Sequence, residues 1–344
     1  MLRILFFSSL ILSLSFSFTA AQNVYVDALH GEDSNVGSKE APFQSLARAV
    51  HFANTQTGTG NLSIKLNPGL YLLEGRIDIN PVRVLHDTAR YIIEASVMPD
   101  DEGWSPEKMP VIQSISTNNS TTQFPHATGL LVAASHVSIR GLKFLGNAQP
   151  EVNYYYPISK EDMSLEDLEV SQCVFVGDKE AAKIQGGVWA HGPKNTISHC
   201  VFYGCRNGVL FFNNVRAFTI EHSIIYGAYE SAFWFGPEDD DFTFTNNIIS
   251  HNACFLVGPQ DMQYSSPFSN SIISDNQTFV GYWSRDEQAV KSLATPNIKM
   301  VGVQRRAKIE LTENLDVMLA PKHLHLRQNS DGQVLKAGIF KKTP

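Results

Sequence analysis

The sequence predicts an all-β fold, a parallel β-helix of stacked coils with a short helix capping its N-terminal end. Three observations carry this. The first is a degenerate repeat: Ile139–Phe144, Val170–Phe175, Ile197–Phe202, Ile220–Ile225, Phe244–Ile249 and Phe268–Ile273 each open on an apolar residue, pass through small or polar positions and close on an apolar one. Their closing residues are spaced 31, 27, 23, 24 and 24 apart, a period that signals stacked supersecondary units. The second is another apolar run between these segments, in which Val188, Val209, Phe233, Phe255 and Phe279 align at spacings of 21, 24, 22 and 24. The third is the absence of any helix-period stretch between them, with turns rich in Gly, Asn, Asp and Ser. Two or three short strands per unit, each pairing with its equivalent one repeat away, describe the coil of a β-helix. A leucine-rich repeat would show dense Leu, and a propeller blade would need a longer unit.

The elements follow in order. Residues 1–21 have the make-up of a secretory signal: Arg3, an apolar run to Phe18, and Thr19-Ala20-Ala21 before a cleavage point near Ala21. The apolar run is shorter than the roughly 20 residues a membrane span needs. An exported or cell-surface chain without a membrane span is therefore expected. Residues 22–344 read as one domain: an N-terminal cap over 22–60, coils over about 61–300 and a closing segment over 301–344. Val24–Val26 is a strand. Ser45 begins an amphipathic helix whose apolar face is Leu46, Ala49, Val50 and Ala53. A β-helix exposes an open edge and an open core at its first coil, so a cap is physically required.

This opening resembles the pectin-lyase-like β-helix proteins, which often begin with a strand, a G-x-D-x-N-x-G turn, a Pro-Phe pair and a short capping helix. The chain carries Gly31, Asp33, Asn35, Gly37, Pro42 and Phe43, and then Asn67-Pro68-Gly69-Leu70-Tyr71. The resemblance implies a right-handed, single-stranded coil. It does not imply one chemistry, since the fold hosts lyases, hydrolases, epimerases and adhesins. The Asn-Thr-Asp, Gly-His-Gly and Arg-Ile-Lys motifs of polygalacturonases do not occur, nor does the Arg-x-Pro-x-x-Arg pattern of pectate lyases.

Composition narrows the partners. A formal charge of −7 argues against nucleic acid; it says little against a polyanionic substrate, since a local basic cleft can coexist with a net negative surface. Cys173, Cys200, Cys205 and Cys254 are too few for a disulfide scaffold. Cys173 and Cys200 share a repeat column, so they stack with parallel side chains. A disulfide needs converging Cβ atoms, which favours buried thiols.

Two columns carry candidate chemistry. Gly141, Gln172, His199, His222, Asn246 and Asn270 lie at a bend, where a polar ladder would satisfy turn groups; metal binding by His199 and His222 is the alternative. In the second run, inward Val188 and Phe233 turn Trp189, Leu210, Trp234 and Leu256 outward, with His191 on the same face. Outward indoles suit the apolar faces of sugar rings. The other reading is a second small core beneath long turns. Trp189, Trp234, Arg206 and Arg216 are the substrate-binding candidates. His191 and Glu230 are the candidates for proton transfer. Asp239, Asp240 and Asp241 are a solvated turn, a calcium site or, one of them with Glu230, the carboxylate pair of a hydrolase. The function expected is that of a monomeric carbohydrate-active protein that cleaves an extracellular polysaccharide as a lyase or glycoside hydrolase. The alternative is a non-catalytic module that binds polysaccharide or oligosaccharide, or a structural surface module.

Overall fold

The computed structural model describes residues 22–236, 241–313 and 324–339. These residues form a parallel β-helix with three sheets running along its length. Among the described residues, sheet 1 has ten strands from Gln22–Val26 to Met300–Val301, sheet 2 eight from Leu70–Leu73 to Ile272–Ser274, and sheet 3 nine from Ile77–Ile79 to Ala289–Ser292. Every neighbouring pair of strands is parallel except Thr278–Ser284 with Ala289–Ser292, a hairpin that ends sheet 3. None of the described helices is long and apolar enough to cross a membrane.

The columns stack as the repeat requires. Ile197, Ile220, Phe244 and Phe268 are register partners in sheet 1 and all are buried. In sheet 2, Phe144, Phe175, Phe202, Ile225, Ile249 and Ile273 continue one ladder. The rings of Phe175 lie 5.0 Å from Phe144 and 4.5 Å from Phe202, nearly parallel to both. That is the spacing of neighbouring strands, so ring stacking and backbone pairing share one geometry.

One residue in the left-handed region turns each coil from sheet 1 to sheet 2: Gly141, Gln172, His199, His222, Asn246 and Asn270, with φ between 43° and 73°. Gly and Asn tolerate that region best, which explains the column's composition. The following residues, including Cys173, Cys200, Ser223 and Asn247, point into the core. Asn247 accepts the Ser223 N–H and donates to the Ile220 carbonyl, satisfying backbone groups that would be buried unpaired. The four cysteines are free and buried, and burial pushes the Cys200 thiol well above its ordinary pKa.

The N-terminal motif is architectural. Asp33 accepts the backbone N–H groups of Gln44 and Ser45 and the Ser45 hydroxyl, and Ser45 caps the helix Leu46–Asn54. Asn35 donates to the Pro42 carbonyl at 2.9 Å. At Gly37, φ is 77° and a Cβ would lie 2.4 Å from the Phe43 ring, which is fully buried. The Tyr71 hydroxyl donates to the carbonyls of Val26 and Asn67.

Two expectations are corrected. The sheet 3 column slips by one: Phe233 pairs with Leu256, and Trp234 with Val257, so Leu256 rather than Phe255 continues the ladder. All four residues of Cys254–Val257 are buried, so alternation loses its meaning there. The second correction concerns the chain's last part. Its described residues 324–339 lie along the outside of sheet 2, against Val174, Val201, Ile224, Ile248 and Ile272, rather than across the end of the stack. The outer face of sheet 2 is itself apolar and needs covering.

Candidate functional site

The outer face of sheet 3 divides into a covered half and an open half. In the covered half, Trp189 is 3% exposed. It packs on Tyr156 at 4.6 Å and on His126 and His191 at 5.7 Å each, with Leu210 beside it. The cover comes from the turn residues Phe124 and His126, whose rings lie 5.2 Å apart. Trp189 therefore belongs to a second small core. His191 is buried with it, its Nδ1 2.7 Å from the Phe212 carbonyl.

The open half is a groove of about 420 Å³ lined by Phe124, Tyr154, Tyr156, Gln185, Arg206, Asn207, Leu210, Phe212, Glu230, Trp234, Trp283 and Gln288. Trp234 is half-buried, with Trp283 5.5 Å away and Phe212 edge-on at 6.1 Å. Strand alternation sends Trp234 outward, and the terminal hairpin brings Trp283 back towards it.

A polar ladder lines the same hollow. Asn207 and Ser231 are register partners, which sets the preceding residues, Arg206 and Glu230, side by side on adjacent coils. The Arg206 Nη2 donates to Glu230 Oε1 at 2.6 Å, and the Asn207 Nδ2 to Oε2 at 2.8 Å. Arg206 also donates to the Gln185 side chain at 3.2 Å. Burial alone would lower the Arg206 pKa; the hydrogen bond and charge of Glu230 outweigh it and hold the guanidinium above its ordinary value. The groove thus combines an aromatic wall with a fixed donor–acceptor array. This is the arrangement that packs the C–H face of a ring while meeting its hydroxyls. Among the described lining residues, Glu230 is the sole carboxylate, and no second acid flanks it as two-carboxylate glycoside hydrolysis requires.

The remaining sequence candidates lie elsewhere. Arg216 is exposed on the turn between sheets 3 and 1, where its carbonyl accepts the Lys194 N–H; it does not line the groove. Asp241 sits on the neighbouring turn, with its carbonyl bonded to Ala217 and its carboxylate 3.5 Å from the Ser266 hydroxyl. Asp239 and Asp240 lie outside the described residues. His199 and His222 stack in parallel at 4.8 Å, their Nδ1 atoms facing the carbonyls of Gly338 and Leu335. They serve the ladder that holds the outer segment in place. A grouping able to hold a cation is Asp87, His136 and Asp167, whose ligand atoms lie within 4.8 Å of one another. The Arg90 guanidinium and the His136 ring both meet Asp167 Oδ2 there, and Arg90 supplies the positive charge locally.

Sequence reasoning missed Trp283, Tyr154, Phe124 and Gln288. They come from turns and the hairpin, outside the repeat. Gln185, Arg206 and Glu230 could have been grouped, since they are spaced 21 and 24 apart, the spacings of the repeat itself.

A search of curated proteins finds no match. Solved structures with similarity include a rhamnogalacturonan lyase (13% identity, TM-score 0.47, covering 75% of this chain and 70% of that one). Others are the lacto-N-biosidase of Eubacterium ramulus (9%, 0.48, covering 75% and 57%) and the pectin methylesterase of Aspergillus niger (10%, 0.47, covering 88% and 94%). The family model for the right-handed β-helix region matches residues 113–292, more than half of the chain, so the protein belongs to the right-handed β-helix family.

Proposed function

We propose that this protein is a carbohydrate-binding β-helix whose ligand lies in the groove on sheet 3. One observation carries the reading: the Trp234–Trp283 wall and the Gln185–Arg206–Glu230 ladder line the same hollow. An aromatic wall alone would accept any flat apolar ligand. A hydrogen-bonding array alone would accept any polar one. Together they select a ligand with apolar faces and a rim of hydroxyls.

Cleavage of a polysaccharide is the second reading, and Glu230 is the observation in its favour. Its carboxylate lines the groove and is the natural candidate for proton transfer. Against it, both oxygens already accept from Arg206 and Asn207, an arrangement suited to holding a ligand. His191, the other proton-transfer candidate, lies in the second core. Export, as residues 1–21 suggest, would place the groove among extracellular glycans.

The test is titration calorimetry of the mature chain against a panel of oligosaccharides and polysaccharides. The same mixtures are assayed for new reducing ends and for unsaturated uronate absorbance. Binding that Trp234→Ala and Trp283→Ala each weaken supports the reading. Binding that neither variant changes, or none across the panel, defeats it. New reducing ends lost in Glu230→Gln would establish the cleaving reading.

A further inference from the structure

The groove has a lateral lobe of different character. A second hollow of about 390 Å³ is lined by Asn153, Tyr154, Lys179, Glu180, Lys183, Arg206 and Tyr229. It meets the aromatic groove at Tyr154 and Arg206, which line both. Three of its seven lining residues are cationic and one is acidic, in a chain whose formal charge is −7. The charge balance of the lobe is thus opposite to that of the protein.

The cations are arranged around the lobe. Lys183 Nζ is 3.3 Å from the Asn153 side-chain oxygen, which tethers the ammonium at one side. Lys179 Nζ lies 5.7 Å from the centre of the Tyr229 ring, within cation–π reach. Arg206 closes the inner end, its charge compensated by Glu230. The two lysines therefore supply the uncompensated charge, with Glu180 opposing them from an exposed position.

We infer that this lobe is a subsite for an anionic substituent, a carboxylate or a sulfate ester, on a sugar whose neighbour packs against Trp234 and Trp283. The inference rests on the carbohydrate-binding reading above and adds to it the charge of the ligand and the place where that charge sits. Lysine ammonium groups, compact point charges on flexible stems, make point contacts with either oxyanion, so the lobe recognises the shared negative charge. The polar groups of the main groove, already satisfied among themselves, serve the hydroxyls.

The experiment compares wild type, a Lys179→Gln/Lys183→Gln double variant and Trp234→Ala. The probes are a uronate-containing oligosaccharide, its carboxyl-reduced form, a sulfated oligosaccharide and its desulfated form. All proteins are first matched for melting temperature; both lysines are surface residues, so the double variant should fold as wild type does. Wild type should bind at least one charged probe more tightly than its neutral form. The double variant should lose about tenfold on that probe and nothing on the neutral form. Trp234→Ala should weaken both. The probe that shows the preference identifies carboxylate or sulfate. Equal binding of charged and neutral forms by wild type, or an unchanged preference in the double variant, overturns the inference while carbohydrate binding stands. No binding to any probe overturns both.

Discussion

The outer faces of sheets 2 and 3 are built from similar material and end up doing different things. On sheet 2, Val174, Val201, Ile224, Ile248 and Ile272 form an unbroken aliphatic row, all of them buried. The segments around Ile309 and Leu311 and from Leu324 to Ile339 lie over it, and the His199–His222 stack pins that cover through backbone carbonyls. On sheet 3, Tyr156, Trp189, Leu210 and Trp234 are also apolar, but only the half around Trp189 is covered. The other half meets Gln185, Arg206 and Glu230 and stays open. An outward apolar column is thus no evidence of a binding face. What separates the two is whether fixed polar groups stand beside it and whether the chain returns to cover it.

The comparison can be broken most severely from within. Phe202 is 1% exposed and stacked on Phe175; Phe202→Ala should cost about 3–5 kcal/mol. The loss should spread along neighbouring coils, and urea denaturation followed by both far-UV and tryptophan signals would measure it. An unchanged midpoint would show that the stack does not support the two faces.

Next come paired substitutions on the faces themselves. Ile224→Ala, beneath the outer segment of sheet 2, should cost about 2–4 kcal/mol, as for a buried aliphatic residue. Trp234→Ala, at the open groove, should cost less, about 1–2 kcal/mol, because removing a partly exposed ring leaves no enclosed cavity behind. Ligand affinity should respond the other way round, falling in Trp234→Ala and holding in Ile224→Ala. Equal stability losses at the two sites would mean that the sheet 3 face is a second covered core throughout.

A smaller effect is expected at the ladder. Glu230→Gln removes one partner of a half-buried ion pair and should cost about 1–2 kcal/mol, between surface and fully buried pairs. Glu230→Gln/Arg206→Gln should recover part of that loss by removing the unpaired guanidinium. A thermodynamic cycle over the two positions measures the coupling; additive losses would show that the pair contributes nothing to holding the groove.

Much of the fold was legible because its physics is periodic. Strand pairing between coils forces equivalent residues into columns, so Ile197, Ile220, Phe244 and Phe268 could be placed from spacing alone. The slip at Phe255 marks the limit: where four successive residues are all apolar, alternation no longer tells inside from outside. The candidate site was half legible for a related reason. Trp234, Arg206 and Glu230 lie within the repeat. Trp283 reaches the groove through an antiparallel hairpin, and Trp189 and His191 are covered through the turn bearing Phe124 and His126. Those pieces obey no period, so neither their reach nor what they cover could be read from the columns.

The smallest expected effect concerns the side chain that holds the turn beyond Tyr156 on sheet 3. Lys160 ends the strand Tyr155–Lys160, is 0% exposed, and donates from Nζ to the Leu165 carbonyl at 2.6 Å. Burial pushes its pKa down to about 8, against the opposing charges of Asp167, Glu166 and Asp162. Burial likewise brings Lys143, on sheet 2, to about 8. In the unfolded chain both return to about 10.4. Between those values the unfolded state holds a proton that the folded state has lost, so these two lysines make a contribution to stability that rises as pH increases from about 8 to 10. The buried Cys200, Cys205 and Cys254 thiols, whose pKa values burial raises, act in the opposite sense from about pH 8.5 upward, where unfolded thiols titrate, and Tyr91, Tyr155 and Tyr156 join them above about pH 10. Lys160→Met should therefore make the change in stability from pH 8 to 10 more negative than in wild type, Lys143 keeping its own contribution, as read from urea midpoints at pH 8, 9 and 10. A slope identical in wild type and variant would mean that Lys160 keeps its proton when buried, held by the Leu165 carbonyl and its three acidic neighbours.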